Sequence, residues 1–274
     1  MTDIGHIGVF KEDHDGAMAR FIGEADVIFC MDFNQINRLD RVTDTVTANT
    51  TAVRVLIDHH LHPPVDGYAV QFSDTHACST SYIVYQLLEA MAGTDAIDQA
   101  MAESLYVGIM TDTGNFSFSS LTSDLFRAVA VLIDKGVNVP YVNSSVYNNF
   151  SEGRMRLLGY MLNDKMVTDY EFGVAYVSLT EEEMRRFDFI QGDSEGFVNY
   201  PLSIRGIRMS AMFIQTKHSI RVSLRSRGEV DVNVFARRYF DGGGHRNAAG
   251  GKSYVPMNET LENFRKYLRE YFGA

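Results

Sequence analysis

The stretch VRVLIDHH, residues 53–60, is a largely apolar run that ends on Asp58, His59 and His60. An apolar run of this length predicts a strand that is buried on both faces of a sheet. An acid followed directly by two imidazoles places three groups at its end that can hold water, a metal ion or a phosphate. The stretch therefore predicts a buried strand with a charged ligand site at its tip.

The first half of the chain repeats this pattern. ADVIFCMD, residues 25–32, is a second apolar run that ends on Asp32, and STSYIVYQLLEAMAG, residues 79–93, has a Ser/Thr start, apolar residues at helical spacing and a glycine stop. Such alternation predicts an α/β fold with a parallel sheet, in which ligands lie outside the carboxyl ends of the strands. A third acid, Asp112, follows the apolar run in LYVGIMTDTG, residues 105–114. We expect these acids and histidines to converge.

Composition limits the class of protein. With 274 residues, 45% of them hydrophobic, the chain can bury a large core and is long enough for two ordinary domains. Two cysteines, Cys30 and Cys78, are too few for a disulfide framework, and no secretory leader or long apolar span opens the chain. These features predict a soluble, cytoplasmic protein that does not bind membranes.

Charge is distributed unevenly. The net charge of −10 argues against a protein that coats long nucleic acids, yet residues 200–252 contain ten basic and three acidic residues. A basic segment in an acidic chain suits a small anionic ligand held between a metal-binding part and a phosphate-binding part. A solvated basic face is the alternative interpretation of the same cluster.

The second half of the chain differs in pattern. Residues 123–167 predict helices, FGVAYVSL and IRVSLRSRG predict strands, and VNVFARRYF predicts a helix that leads into a glycine-rich loop, Gly242–His245. The overall expectation is a doubly wound, mainly parallel sheet in residues 1–150, joined through helices to a smaller α/β domain with a mixed sheet in residues 151–274. Consecutive glycines allow backbone N–H groups to approach a phosphate closely.

Together these motifs resemble the DHH phosphoesterases that carry a C-terminal DHH-associated domain, and within them the small bacterial nanoRNases that also dephosphorylate 3′-phosphoadenosine 5′-phosphate (pAp). The resemblance runs from about Ala25 to the end of the chain and rests on Asp32, the Asp58-His59-His60 triplet, Asp112, the SLRS sequence of residues 223–226, and the GGGH sequence of residues 242–245. It implies hydrolysis of short oligoribonucleotides, linear or cyclic dinucleotides, and pAp.

The resemblance also implies roles for single residues. Asp32 would bridge two divalent ions, Mn²⁺ preferred and Mg²⁺ the alternative, with His59 and Asp112 as further ligands. His60 would face the phosphate, and Asp58 would orient its neighbours. Arg225, Ser226, Gly242, Gly243, Gly244 and His245 would grip the far end of the substrate. Carboxylates and imidazole are ligands that suit Mn²⁺, and two such ions polarise a phosphate and activate water.

One motif of the family is not found in the sequence. Members open with a strand that ends in a His-x-x-Pro-Asp-x-Asp motif, which supplies further metal ligands. The nearest residues here are Asp13, His14, Asp15 and Gly16. Asp15 lies only seventeen positions before Asp32, too close for the crossover that a parallel strand needs. We interpret them as a helix start or loop. The expectation is a sheet that lacks its first strand, a doubtful second metal site, and little activity of this chain alone.

Two alternatives remain open at this stage. One is an inorganic pyrophosphatase or exopolyphosphatase, although the basic GGGH domain favours nucleotides over bare polyphosphate. The other is a non-catalytic remnant that binds nucleotide and one metal ion or none. The expected partners are short single-stranded RNA or DNA oligonucleotides, pAp and dinucleotides, and an exposed sheet edge would allow a homodimer.

Overall fold

The computed structural model describes residues 7–10, 13–117 and 121–273, which form two compact units, 1–148 and 149–274. The described part of the first unit contains three strands and six α-helices: α1 (Ala17–Gly23), β1 (Val27–Met31), α2 (Thr43–Ala48), β2 (Val53–Asp58), β3 (Val70–Ser73), α3 (Thr80–Ala92), α4 (Gln99–Asp112), α5 (Ser123–Asp134) and α6 (Val139–Tyr147). A 3₁₀ segment, Ile36–Val42, precedes α2.

The sheet of the first unit is parallel, with strand order β1-β2-β3. Val27 lies opposite Val53, and Val55 lies opposite Val70. Its central strand, β2, is the apolar run that precedes His59 and His60, and Leu56, Ile57 and Asp58 are all buried. The helices α3, α4, α5 and α6 and the strand β2 share one hydrophobic core. Each large apolar side chain buried there stabilises the fold by about 1.5–3 kcal/mol.

Local sequence explains the ends of these helices. Ser79 caps α3 by accepting the N–H of Tyr82 at 3.0 Å, and Gly93 ends the helix at φ 75°. The Asp13 carboxylate accepts hydrogen bonds from the N–H groups of Met18 and Ala19 at 3.0 Å. Residues 13–16, the nearest match to the family's first metal motif, therefore form the start of α1. This agrees with their interpretation as a helix start.

Strand β1 presents apolar side chains to solvent. Val27, Phe29 and Met31 are 45%, 61% and 43% exposed, whereas Cys30 is buried on the opposite face. Within the described ranges, β1 pairs only with β2. Self-association through this strand stays a prediction.

The second unit is built on a six-stranded mixed sheet with the order β4-β5-β6-β7-β9-β8. Its elements are α7 (Glu152–Tyr160), β4 (Val167–Asp169), β5 (Val174–Leu179), α8 (Glu181–Arg185), β6 (Met209–Gln215), β7 (Ile220–Ser226), α9 (Val232–Tyr239), β8 (Gly243–His245), β9 (Ala248–Ser253) and α10 (Met257–Phe272). A π-helical turn, Met161–Lys165, follows α7, and a 3₁₀ segment, Phe197–Ser203, precedes β6.

In this sheet β5 and β6 run parallel and the other neighbours are antiparallel. One face packs against α9 and α10 through a cluster rich in aromatic residues, in which Phe213, Phe235 and Phe264 are fully buried. Part of the other face packs against α7 and α8. The parallel sheet of the first unit and the mixed sheet of the second confirm the predicted α/β class. None of the helices within the described ranges combines the length and the apolar character needed to cross a membrane.

A polar cluster fixes the start of α8. The Glu183 carboxylate accepts hydrogen bonds from Lys165, from the Tyr160 hydroxyl at 2.8 Å and from the Thr180 N–H at 2.8 Å. Burial would by itself raise the pKa of Glu183, but these hydrogen bonds outweigh burial and lower it to about 2. The folded state therefore binds this proton more weakly than the unfolded state.

We expect Glu183→Gln to reduce the free energy of unfolding at pH 7 by roughly 1–3 kcal/mol. Because the folded pKa is depressed from 4.5, the contribution is complete above that pH and is lost as the pH falls toward 2. Urea unfolding followed by circular dichroism should thus show the difference from wild type shrinking below pH 4.5. Glu182→Gln, an exposed neighbour on α8, is the control; an equal effect of both variants at every pH would contradict the assignment.

Candidate metal centre

Strand register brings the acids together at one edge of the first sheet. Met31 lies opposite Ile57, so Asp32 and Asp58 stand at the carboxyl ends of adjacent parallel strands. The Asp32 N–H continues the ladder by donating to the Ile57 carbonyl at 3.1 Å, and its backbone then turns into the left-handed region, φ 64°. Because of this turn, the alternation of side chains along β1 no longer sets the direction of the Asp32 side chain.

His59 lies between two carboxylates. Its Nε2 is 3.7 Å from Asp32 Oδ1 and 3.8 Å from Asp112 Oδ2. One ligand atom from each of these three residues lies within 4.8 Å of the other two. The three residues expected from the sequence to hold a metal ion are therefore adjacent in space.

The other nitrogen of the same ring fixes its orientation. His59 Nδ1 lies 3.2 Å from the Ala77 carbonyl, which can only accept, so Nδ1 carries the hydrogen in the neutral ring. The lone pair of Nε2 is then on the side of the two carboxylates, where it can bind a cation. A carbonyl that orients a histidine in this way is typical of metal sites.

Asp112 reaches the cluster from a helix and not from a loop. The apolar run before Asp112 is α4, and Asp112 is its last residue. Burial raises the pKa of Asp112, the nearby His59 opposes this, and the negative charge of Asp32 raises the pKa further. A divalent cation would relieve this repulsion, so the donor set fits such an ion.

Asp58 and His60 form a second pair beside this cluster. Asp58 is fully buried; its Oδ1 lies 2.7 Å from His60 Nδ1, and its Oδ2 accepts the His60 N–H at 3.1 Å. Burial would raise the pKa of Asp58, but the hydrogen bonds from His60 outweigh it and lower the pKa. Asp32, Asp58 and His60 also have ligand atoms within 4.8 Å of one another.

Two supporting residues were missed in the sequence. The buried Thr80 hydroxyl donates to Asp32 Oδ1 at 2.9 Å, although Thr80 reads as part of a helix start. The Asn34 amide donates to the Leu61 carbonyl at 2.7 Å and thereby holds the chain that follows His60. The sequence signal that could have identified Thr80 is the Ser/Thr-rich helix start that follows the candidate site. No sequence pattern pointed to Asn34.

The predicted substrate-binding residues lie in the second unit. Arg225 is on β7, and Arg225 and His245 are each in register with Ala248 of β9, so they share one face of the sheet. Burial lowers the pKa of Arg225, and the negative charge of Glu195 opposes this. The Ser226 hydroxyl donates to the Val230 carbonyl at 2.7 Å and accepts from Asn247 at 2.9 Å. This geometry favours a positioning role for Ser226 over direct contact.

The glycine-rich segment is not the loop expected from the sequence. Gly243–His245 form the edge strand β8, paired with β9. A Cβ on Gly242 would lie 1.9 Å from the Gly250 carbonyl oxygen, and one on Gly244, at φ 152°, would lie 2.5 Å from that of Ala248. Close approach of the two strands therefore requires these glycines. The Gly244 N–H donates to Asn233 on α9 at 3.0 Å.

A parallel sheet with clustered acids and histidines at its carboxyl edge, followed along the chain by a mixed-sheet unit that contains the basic segment, is typical of metal-binding α/β hydrolases. A family model of the DHH family, N-terminal domain, matches residues 4–109, and a model of the DHHA1 domain matches residues 170–274. The chain belongs to the DHH family, a metal-dependent family of phosphoric ester hydrolases.

Individual relatives agree with this assignment. The chain is 30% identical to the bifunctional oligoribonuclease and PAP phosphatase NrnA of Bacillus subtilis, over 90% of this chain and 73% of that protein. It is 28% identical to a probable enzyme of the same name from Streptococcus mutans, over 78% and 67%. A crystal structure of an exopolyphosphatase-related protein from Bacteroides fragilis superposes with a TM-score of 0.93 at 38% identity, over 99% of this chain and 78% of that chain.

We expect Thr80→Val to weaken Mn²⁺ binding by about 10-fold, because Asp32 loses the hydrogen bond that orients its carboxylate. Isothermal titration calorimetry with Mn²⁺ measures this. Thr111→Val is a matched control, because Thr111 precedes Asp112 but its hydroxyl bonds to carbonyls of its own helix. Unchanged affinity in Thr80→Val, or an equal loss in Thr111→Val, would contradict the role of Thr80.

Proposed function

We propose that the protein is a divalent-metal-dependent phosphoesterase that hydrolyses short oligoribonucleotides, including dinucleotides, and pAp. The observation that carries this proposal is the convergence of Asp32, His59 and Asp112 on a space that one cation can fill. Similarity to NrnA over 90% of the chain supports the choice of nucleotide substrates. We take Mn²⁺ as the preferred ion, because two carboxylates and an imidazole suit it.

The residues divide the chemistry between them. Asp32, His59 and Asp112 would hold the ion; when bound, a divalent ion neutralises charge on the phosphate and lowers the pKa of water. Asp32 is oriented by Thr80, and the His59 ring is oriented by Ala77. The overall reaction forms a bond from water oxygen to phosphorus and breaks the bond from phosphorus to the leaving oxygen.

In this proposal His60 acts on the phosphate or on the transferred proton. Asp58 accepts the hydrogen on His60 Nδ1, which leaves Nε2 as the reactive nitrogen of that ring. In its protonated form Nε2 donates a hydrogen bond to a phosphate oxygen, and in its neutral form it accepts a proton. The full burial of Asp58 keeps this orientation fixed, because its carboxylate has no competing water.

The second unit supplies groups that recognise the nucleotide. Arg225 and His245 lie on one face of its sheet, in the basic segment of residues 200–252. An arginine binds a phosphate through two parallel hydrogen bonds, and the glycine-rich strand β8 allows close approach to the backbone. These groups favour substrates with at least one phosphate beyond the one that is cleaved.

Hydrolysis of inorganic polyphosphate is the second candidate. It is favoured by the name of the Bacteroides fragilis protein, which is described as exopolyphosphatase-related. The two candidates differ in whether a nucleoside is needed for productive binding.

We expect the activity of this chain alone with Mn²⁺ to be low in absolute terms, because one metal motif of the family is not found in its sequence. We expect kcat/KM for the dinucleotide pApA and for pAp still to exceed that for pyrophosphate or tripolyphosphate by at least about 10-fold. Asp32→Asn should lower kcat/KM for both nucleotides by more than about 100-fold, since even loss of a ligand's supporting partner costs 10–100-fold. The rate of product formation is measured by chromatography.

Asp26→Asn is the control for that variant. Asp26 precedes β1, at the opposite end of the strand from Asp32, and carries the same charge. Faster turnover of polyphosphate than of pApA would favour the second candidate. Mn²⁺ binding without hydrolysis of any of these substrates would refute the proposed activity.

His60→Gln tests the role of the Asp58–His60 pair. We expect kcat for pApA to fall by about 10²–10⁴-fold, as for loss of a proton-transfer group, with Mn²⁺ affinity at Asp32, His59 and Asp112 retained. Calorimetry and steady-state kinetics separate the two quantities. His76→Gln, an exposed histidine, is the control, and a His60→Gln variant with normal kcat would contradict the assignment.

A further inference from the structure

The side chains of β7 alternate between the core and a polar face. Ile220, Val222 and Leu224 are buried in the core shared with α9 and α10. Arg221 and Arg225 therefore point to the other face, with Ser223 between them. At the strand rise of about 3.3 Å per residue, the Cα atoms of the two arginines are about 13 Å apart.

Two cations face each other across this strand and its neighbour. Arg221 is in register with Lys252 of β9, and both side chains are exposed. Residues directly opposite in an antiparallel pair have Cβ atoms about 4.5–5.5 Å apart, and like charges there are destabilising. An anion bound between Arg221 and Lys252 would turn this repulsion into attraction.

Small residues separate this pair of cations from Arg225. Ser223 lies opposite Gly250, and Arg225 lies opposite Ala248. The polar face of β7 and β9 therefore has positive charge at both ends and little side-chain bulk between them. Such a surface suits a chain with anionic groups at intervals.

The guanidinium of Arg221 is held by a buried partner. Its Nη2 donates to Ser194 Oγ at 2.9 Å, and Ser194 is only 2% exposed. A guanidinium has five N–H donors, and this bond uses one of them. Arg221 can thus be oriented by Ser194 and still bind a phosphate through two others.

Residues 190–196, here called the Ser194 segment, are fixed in turn by Arg154 of α7. The Arg154 guanidinium, 7% exposed, donates to the carbonyls of Gly192 at 3.3 Å, Asp193, and Glu195 at 2.8 Å. It also lies over the ring of Phe150, 3.9 Å from its centroid. A buried cation that bonds three carbonyls of one short segment restricts that segment strongly.

We propose that Arg221 and Lys252 form a second phosphate-binding subsite, oriented through Ser194 and about 13 Å along the strand from Arg225. The inference rests on the proposed function, since its ligand is a phosphate of an oligonucleotide substrate. The two phosphates of pAp are joined through one ribose and cannot occupy both positions. The subsite therefore adds affinity only for longer chains.

The test compares a pentanucleotide, pApApApApA, with pAp. Arg221→Gln and Lys252→Gln should each raise KM for the pentanucleotide by about 10-fold, with kcat unchanged and KM for pAp changed less than twofold. Binding of a fluorescein-labelled pentanucleotide in EDTA, followed by anisotropy, should weaken by the same factor. Lys217→Gln, an exposed residue between β6 and β7, removes the same charge and should change neither substrate.

A double-mutant cycle tests the role of Ser194. Ser194→Ala should raise KM for the pentanucleotide about threefold in the wild-type background and leave it unchanged in the Arg221→Gln background, because Ser194 acts through Arg221. A purely structural role would instead raise KM for both substrates in both backgrounds.

The outcomes separate this inference from the proposed function. Equal effects on pAp and the pentanucleotide, or an effect of Lys217→Gln as large as that of Arg221→Gln, would overturn the subsite while leaving the enzyme assignment intact. A wild-type protein that neither binds nor cleaves either nucleotide would overturn both.

Discussion

The parallel pairing of β1 with β2 is the constraint on which the candidate site depends. With Met31 opposite Ile57, the chain leaves both strands at the same level, and Asp32 and Asp58 follow immediately. A slip of one residue would turn each side chain to the other face of the sheet. Burial of Leu56 and Ile57 in the core sets this register, so apolar packing determines where the acids meet.

Two helix ends complete the cluster and add an electrostatic cost. Thr80 is the first residue of α3, and Asp112 is the last residue of α4. A carboxylate at a helix C-terminus faces the negative end of the helix dipole, and here it also faces Asp32. Because α3 and α4 pack in one core, the backbone of Asp112 and the Thr80 hydroxyl that bonds Asp32 are held in place. A bound cation would offset the repulsion, so the arrangement favours an ion with multiple positive charge.

Sequence patterns predicted the positions that are set by local rules. Both strand ends, the capped helix after Ser79 and the adjacency of Asp32 and His59 follow from apolar runs and strand polarity. The role of Asp112 beside them was implied only by the family resemblance. The patterns failed where tertiary contacts decide. The apolar residues in the run before Asp112 have no clear helical period, so the sequence did not reveal the helix α4. The GGGH sequence forms a strand and not a loop because β9 approaches it closely. Thr80 and Arg154 act through partners distant in sequence.

The charge distribution bears on the length of substrate that the protein can hold. Residues 200–252 carry seven positive charges net within a chain of −10, so a long polyanion that extends beyond this segment meets repulsion. Exposed charges act over a Debye length of about 10 Å at 0.1 M salt, close to the separation of Arg221 and Arg225 along β7. For the proposed oligonucleotide substrates, this charge distribution favours chains of a few nucleotides over longer ones.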